Sequence, residues 1–369
     1  MHPQRRDPEG TISTHTTGVA VIGAGILGTR HARVYDEFDE SRLVAVVDHD
    51  PARAASVAAP RKARAFGSVA EMLDAVGPAG SGEVRAVSIA TPDHLHHEPV
   101  VACLEAGVDV LVEKPLATSL GEAHAMTALA RAKSRVLMVN YSQRWLPEHR
   151  RIEELLADGS LGAPALIESH RWDAAWVPER MIGAWSDKTT PIHFMSSHDI
   201  DLILHWLRDH VVSVTAVAHH GALGAARALP GRVDGYLATL RFSRGTVASL
   251  HSSWILPDTF PLAADSRLEL LGASGAVFLG GSTRELELYT AGHSARTTFA
   301  GPSTATEVNG RIEGAFTASL RDFLAAVRNR ELDNPASAER TLHVVEVQDA
   351  IMRAAATGEV VRLAAPARP

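Results

Sequence analysis

Two groups of residues lie about ninety positions apart and point to one chemistry. The first is Gly23-Ala24-Gly25-Ile26-Leu27-Gly28, which follows the apolar run Val19 to Ile22 and opens a helical pattern. In that setting Gly23 allows a tight turn, Gly25 lets the backbone approach a pyrophosphate, and Gly28 lets helix and strand pack closely. Ile26 and Leu27 begin the helix whose N-terminus would hold the anion. The second group, Glu113-Lys114-Pro115, closes the run Val108 to Val112, at the carboxyl edge where doubly wound sheets take their ligands. A lysine carries protons usefully when its pKa falls from about 10.4 towards neutrality, which burial and a neighbouring nicotinamide cation both favour. The alternative for Lys114 is a surface salt bridge with Glu113.

Asp48 ends the next apolar run, twenty residues beyond Gly28, where a carboxylate accepts hydrogen bonds from an adenosine ribose. It would repel a 2′-phosphate, and its neighbours are His49 and Asp50 rather than Arg or Lys, so NAD is expected in preference to NADP. Capping of a helix near Pro51 suits Asp50 better than Asp48. Further on, Ser196-Ser197-His198-Asp199-Ile200-Asp201 starts a helix with Ile200, Ile203, Leu204 and Leu207 as its core stripe. Ser196 with Asp199 resembles a capping box. His198 falls in the first turn on another face, where the helix dipole favours a neutral imidazole able to accept a hydroxyl proton as hydride leaves the same carbon. A capping role is the alternative for His198, and an i, i+4 pair with His205 is the alternative for Asp201. Trp172, Trp176 and Trp185 offer either flat surfaces for a sugar or polycyclic ligand, with Trp172 the leading candidate, or core packing between strands.

The elements needed to position these residues are legible in the hydrophobic pattern. From Gly18 to Asn140, the runs Val19 to Ile22, Leu43 to Val47, Ala86 to Ile89, Val108 to Val112 and Val136 to Val139 alternate with helical stretches. Continuous Val/Ile-rich strands separated by helices imply a parallel sheet buried on both faces, a doubly wound α/β Rossmann domain. Past Tyr141 the strands alternate residue by residue: Val212 to Ala218, Tyr236 to Phe242, Thr246 to Ser252, Arg267 to Leu271 and Ala276 to Leu279. Ser243-Arg244-Gly245 and Ala273-Ser274-Gly275 place glycine where hairpin turns want positive φ. This second part reads as an α+β domain with a large open antiparallel sheet, one face under helices and the other solvated or against a partner subunit. Gly221 to Ala228 reads as loop, Ala315 to Arg328 and Ser337 to Ala355 as late helices, and Asn329 to Pro335 as the loop between them. The expected division is a disordered tail at 1–16, an NAD-binding domain at 17–140 and a substrate-binding and oligomerisation domain at 141–369.

Composition narrows the function classes. The chain has 369 residues, 46% of them hydrophobic and 21% charged, and a net charge of -7. That length suits two domains, and it carries neither a membrane-length apolar run nor the basic footprint of a nucleic-acid binder. Arg5-Arg6 lacks the apolar segment of an export signal. Cys103 is the sole cysteine, which excludes intrachain disulfides and fits a reducing cytoplasm. His96-His97 and His219-His220 have neither a His-Glu-x-x-His helix nor a cysteine partner, so no metal is expected.

With the glycine fingerprint, Thr91-Pro92-Asp93-His94-Leu95-His96 and Glu113-Lys114-Pro115 together, the chain resembles the Gfo/Idh/MocA oxidoreductase family over nearly its whole length, most strongly from Gly18 to Arg144. The resemblance implies a Rossmann domain, an α/β domain whose open sheet forms a homo-oligomer (dimer or tetramer), and a small polyhydroxy substrate bound between the two. It assigns Thr91, Pro92 and His96 to the border of the cofactor, Glu113 and Lys114 to the nicotinamide end, and Arg144 to cofactor and substrate. Asp93 stands where Asn is usual. His198 and Asp201 match an Asp-x-x-x-His-x-x-Asp pattern whose leading Asp is here Phe194, which leaves the usual Asp/His pair incomplete. His193 beside it is either a substitute or a loop histidine. The implied activity is hydride transfer between NAD and a secondary alcohol of a sugar, cyclitol or related compound, with Lys114 and His198 handling the proton and Asp201 among the substrate contacts. Two other readings stand beside it: redox-neutral chemistry in which NAD is regenerated within each cycle, and a non-catalytic NAD sensor. The loops Ser169 to Pro191 and Trp254 to Asp265 would set specificity.

Overall fold

The computed structural model describes residues 16–280, 285–290, 293–298 and 304–365. The tail expected before residue 17 therefore lies, but for Thr16, outside the described residues. Six strands, β1 (Thr17–Ile22), β2 (Ser41–Val47), β3 (Arg64–Phe66), β4 (Ala86–Ile89), β5 (Asp109–Val112) and β6 (Leu137–Val139), form a parallel sheet in the order β3-β2-β1-β4-β5-β6. Every residue of β1, β4, β5 and β6 is buried, as a sheet covered on both faces requires. The crossovers are α1 (Ile26–Glu37), α2 (Pro51–Ala58), α3 (Val69–Val76), α4 (His97–Glu105) and α5 (Leu120–Lys133). Asp50, Ser68 and Ser119 cap α2, α3 and α5 with their side-chain oxygens. β3 has no apolar run to announce it, because Arg64 and Ala65 are exposed at the sheet edge.

α6 (Pro147–Ala157) leads into β7 (Pro164–Ala174), and α7 (Pro191–Phe194) and α8 (Ser197–Leu207) follow. Next come β8 (Val211–His220), α9 (Ala222–Arg227), β9 (Val233–Phe242), β10 (Val247–Leu256), β11 (Ala264–Gly272), β12 (Gly275–Gly280), β13 (Glu285–Thr290) and β14 (His293–Thr298). A small hairpin, β15 (Thr306–Val308) with β16 (Arg311–Glu313), precedes α10 (Ala315–Asn329), α11 (Ala338–Thr357) and β17 (Val361–Arg362). The second sheet has nine strands in the order β14-β13-β12-β11-β7-β10-β9-β8-β17.

That sheet is antiparallel except at its centre, where β7 and β10 run parallel. The helices α7 and α8 return the chain in the direction of β7, and the meander β8-β9-β10 then brings its third strand alongside β7. Two local expectations change. Residues 222–227 are helical rather than loop, because Asp234 accepts the N–H groups of Ala222 and Leu223 at 2.7 and 2.9 Å. Gly245 has φ +97, as a tight hairpin asks, but Gly275 is not left-handed; a Cβ there would stand 2.8 Å from the Tyr289 carbonyl oxygen, so close strand approach is what requires it.

α10 returns to the first sheet. Its stripe of Phe316, Leu320, Phe323 and Leu324 is buried in one core with Val19, Val21, Tyr35 and Leu111. α11 covers the inner face of the second sheet, where Val344, Val347 and Ile351 join the core of Ile200, Val214 and Leu240. The outer face of that sheet carries no helix in the described residues and exposes Leu166, Val217, Leu237, Ile255 and Leu271.

Candidate active site

The glycine loop runs from β1 into α1 beside the point where strand order reverses, between β1 and β4. Gly23 has φ +93. A Cβ on Gly28 would sit 1.6 Å from the Gly23 carbonyl oxygen, whereas one on Gly25 would meet nothing within 4 Å. Gly25 thus faces open space at the head of α1. That helix has no side-chain cap and no acidic residue in its first turn, so its leading N–H groups are free for an anion. Ile26 and Leu27, 65% and 38% exposed, flank the opening. Asp48 is buried, with Oδ2 accepting from the Ala24 N–H at 2.8 Å and Oδ1 from the Asp50 N–H at 2.9 Å. Its carboxylate therefore braces the glycine loop. Arg53, from α2, reaches within 3.6 Å of it and supplies a cation that the adjacent sequence lacks. An open cradle, free N–H groups and a carboxylate at the end of β2 fit a dinucleotide.

Lys114 and Glu113 are neighbours that point to different places. Glu113 is buried, and its Oε1 accepts from His31 Nε2 at 2.8 Å and from Asn140 Nδ2 at 2.7 Å. His31 Nδ1 in turn lies 2.9 Å from Ser88 Oγ, and Ser319 Oγ donates to Asn140 at 2.7 Å. Burial alone would raise the Glu113 pKa; the His31 and Asn140 hydrogen bonds and the charges of His31 and Lys114 outweigh it and hold the group below its ordinary value. Glu113 therefore anchors the strand end from inside the Rossmann domain. Lys114 is half-buried, donates to the Phe194 carbonyl and places Nζ 4.5 Å from the Phe194 ring centre. Burial lowers its pKa, opposed by the charges of Glu113, Asp93 and Asp173. The salt bridge with Glu113 that stood as the alternative for Lys114 is not formed. His96 is buried too, with its ring nitrogens 2.9 Å from the Pro115 carbonyl and 3.2 Å from that of Thr91. It ties the Thr91-Pro92 loop to the lysine segment.

The second domain supplies the opposite wall. His198 stands in the first turn of α8, partly accessible, its ring 6.1 Å from that of Tyr141; among the described residues neither its Nδ1 nor the buried Tyr141 hydroxyl has a hydrogen-bond partner. Burial and the neighbouring Lys114, Arg171 and His149 push His198 well below its ordinary pKa, so the imidazole is neutral and able to accept a proton. The capping box does not form. Ser196 Oγ turns to Ser252 Oγ on β10, and Asp199 takes Arg171 through two hydrogen bonds of 3.0 and 2.8 Å.

Three of the candidate residues have partners within the protein. Arg144 donates to both oxygens of Asp201, which is 1% exposed, and to the Pro335 carbonyl, so this pair ties the segment after β6 to α8. His205 pairs instead with Glu153, at 3.4 Å. Trp172 stacks on His170 with ring centres 4.3 Å apart on the outer face of the second sheet, because β7 alternates and the inward positions belong to Arg171 and Asp173. Those two residues, with Tyr141 and Asp199, went unrecognised in the sequence. The available signal was period two in Ser169, Arg171 and Asp173, which share one face. Among the described residues no cluster of three or more His, Cys, Asp or Glu side chains is placed to hold a metal ion, and no helix is long and apolar enough to cross a membrane.

A dinucleotide cradle on one wall and a partly accessible lysine facing a neutral histidine on the other define an oxidoreductase with an NAD-binding first domain. Residues 17–141 match the family model described as "Oxidoreductase family, NAD-binding Rossmann fold", and residues 153–363 match "Oxidoreductase family, C-terminal alpha/beta domain". The chain belongs to the Gfo/Idh/MocA oxidoreductase family. It is 32% identical over 273 residues to inositol 2-dehydrogenase 1 of Saccharopolyspora erythraea, covering 72% of this chain and 74% of that one. A solved structure of UDP-N-acetylglucosamine 3-dehydrogenase from Acidithiobacillus ferrooxidans superposes with a TM-score of 0.75 at 26% identity, covering 92% of this chain and 97% of that one. The aldose-aldose oxidoreductase of Caulobacter crescentus shares the fold, with a TM-score of 0.78 at 20% identity over 94% of this chain and 100% of that one.

Proposed function

We propose that the enzyme transfers hydride between NAD and a secondary alcohol of a sugar, cyclitol or related polyhydroxy compound. The observation that carries this reading is the juxtaposition of Lys114, with its pKa lowered, and His198, held neutral, at the carboxyl edge of the dinucleotide-binding sheet. The likeness to an inositol dehydrogenase and a UDP-sugar dehydrogenase supports the substrate class. Gly23, Gly25, Gly28 and the first turn of α1 would hold the pyrophosphate, with Ile26 and Leu27 flanking it, while Thr91 and Pro92 border the cofactor and Asp48 lies on the ribose side. NAD, when bound, supplies the hydride acceptor. Lys114 takes the hydroxyl proton in oxidation and returns it in reduction, and His198 and Tyr141 accept or donate hydrogen bonds to the substrate hydroxyls. Arg144 and Arg171 are each held by an aspartate, which favours an uncharged reacting end. Asp48 favours NAD, and Arg53 beside it makes the preference over NADP moderate rather than absolute. The apolar outer face of the second sheet supports a homo-oligomer.

The test is absorbance at the NADH band when the purified protein meets NAD and a panel of sugars, cyclitols and glycosides, with NADP in parallel. A rise with NAD and one class of polyol is expected. A flat trace with an altered sugar would replace net oxidation by an internal redox cycle, and a flat trace with unaltered substrates across the panel would overturn the reading.

A further inference from the structure

An alcohol that hands its proton to Lys114 must bring its oxygen to within about 3 Å of Nζ, so the surfaces around Nζ meet the carbons that flank the reacting one. One such surface is the side chain of Phe194, whose ring centre is 4.5 Å from Nζ. The segment that carries it has turned its hydroxyls elsewhere. Thr189 donates to Asp93, Thr190 Oγ1 lies 3.3 Å from His193 Nδ1 and accepts the His193 N–H, and Ser196 pairs with Ser252 on β10. The Phe194 carbonyl is taken by Lys114. Between Pro191 and Ser197, Phe194 is the one residue that is not buried, and it shares this partial access with Lys114 and His198. What this segment offers the cleft is an aromatic ring.

That ring is braced by others. Trp254 on β10, 1% exposed, meets it near edge-on, with ring centres 6.1 Å apart and planes at 68°. Trp185 lies 6.1 Å from it at 60°, and His94, from the loop after β4, lies 6.0 Å from Trp185. Trp254 belongs to a small apolar core with Ile182 and Met195, against which Phe194 packs. A side chain packed on a close-filled core has little freedom to swing out of the way of a ligand. The wall beside Lys114 is therefore apolar and fixed.

We propose that Phe194 is a specificity-determining residue, and that the substrate carries an apolar group, a deoxygenated or O-alkylated carbon, beside the alcohol that reacts. This deepens the oxidoreductase reading of the same cleft and rests on it. A free hydroxyl pressed against the ring loses its water and gains no partner, whereas a C–H or methyl group there takes apolar surface out of water on both sides. The difference is on the order of 10- to 10²-fold in kcat/KM, the range an apolar pocket commands over a single group. The remaining hydroxyls of the substrate are left to His198 and Tyr141, across the cleft. The substrate class is thus a partly deoxygenated or O-alkylated sugar or cyclitol rather than one with a free hydroxyl on every carbon.

Lys114 uses the main-chain carbonyl of residue 194, so exchanging the side chain leaves that acceptor in place. The test compares methyl glucoside and myo-inositol with the full sets of their monodeoxy and mono-O-methyl derivatives, as kcat/KM with NAD, for the full-length wild type, F194L and F194N. In wild type and F194L a derivative is expected to exceed its parent by about tenfold or more. In F194N, whose amide can pair with a hydroxyl, that advantage should shrink or invert. Parents preferred by the wild type, or an unaltered ranking in F194N, overturn the proposal. Should F194N not fold, F194Y keeps the ring packing, adds one hydroxyl and must erode the same advantage. Calorimetric titration of the NADH-loaded protein with the same compounds separates the proposal from the activity it rests on. Tighter binding of a derivative than of its parent, lost in F194N, supports the apolar wall even if no alcohol is oxidised. Oxidation of parents and derivatives at equal kcat/KM removes the wall and leaves the oxidoreductase standing, and binding of none of the compounds overturns the proposal.

Discussion

The two walls of the cleft hold their polar side chains in different ways. On the Rossmann wall, Asp48, His96 and Glu113 turn into the protein and brace backbone or buried side chains, which leaves main-chain N–H groups and Lys114 to face the ligand. On the sheet wall, Arg144 with Asp201 and Arg171 with Asp199 cancel each other in buried pairs, and the groups left over among the described residues include His198 and Tyr141. The difference teaches that the most charged residues of this site are struts. In the proposed reaction, chemistry falls to the neighbours whose hydrogen-bonding capacity the struts leave unspent.

Five expected outcomes would break or sharpen that contrast. Lys114→Ala should lower turnover by about 10²- to 10⁴-fold while NAD binding, followed by fluorescence titration, is kept; near-normal turnover would remove the lysine from the chemistry. Arg144→Ala leaves Asp201 buried without its cation and should cost about 3–5 kcal/mol of stability in denaturant unfolding, with the NAD affinity of the folded protein little changed. A large affinity loss at full stability would return Arg144 to the ligand. Gly25→Ala should weaken NAD binding by about tenfold or more at unchanged Tm, since its Cβ enters only the open cradle, whereas Gly28→Ala should lower Tm by meeting backbone.

The next outcome concerns pH. Glu113 has its pKa depressed in the folded state, so its contribution to stability is complete above its unfolded value near 4.5 and is lost as pH falls through the lower folded value. His31→Gln should flatten the acid side of the stability profile by about 1 kcal/mol, and an unchanged acid limb would show that the pair does not anchor the strand end. The smallest effect belongs to Trp172→Ala, which should leave kcat/KM within about twofold because the ring lies on the outer face, where surface changes have little reach. A large catalytic loss would place that face in contact with a site.

The cofactor wall was largely legible in the sequence because each of its motifs is contiguous. Gly23 to Gly28 and Glu113 to Pro115 carry their own context, a strand before and a helix or turn after. The sheet wall was not, since β7 places Arg171 and Asp173 inward and Trp172 and His170 outward, and a strand polar on both faces has no apolar alternation to reveal it. His198 was visible from its helix, but the partners of Asp199 and Asp201 were not, because Arg171 and Arg144 come from elements distant in sequence. For the same reason the pairing of Arg144 with Asp201 was not legible. The stripe Phe316, Leu320, Phe323 and Leu324 announced an amphipathic helix and gave no sign that its groove lies against the first sheet.

That docking of α10 has a consequence for how the chain is made. Translation releases β1 and α1 well before α10, so the core of Val19, Val21 and Tyr35 lacks its α10 cover until the segment beyond Ala315 has left the ribosome, and Ser319 then completes the hydrogen-bond chain through Asn140 to Glu113. A nascent chain paused anywhere in the second sheet therefore carries a bare apolar face that a chaperone would meet. The nucleotide fold, written ahead of the second sheet, is among the last parts of the molecule to be finished.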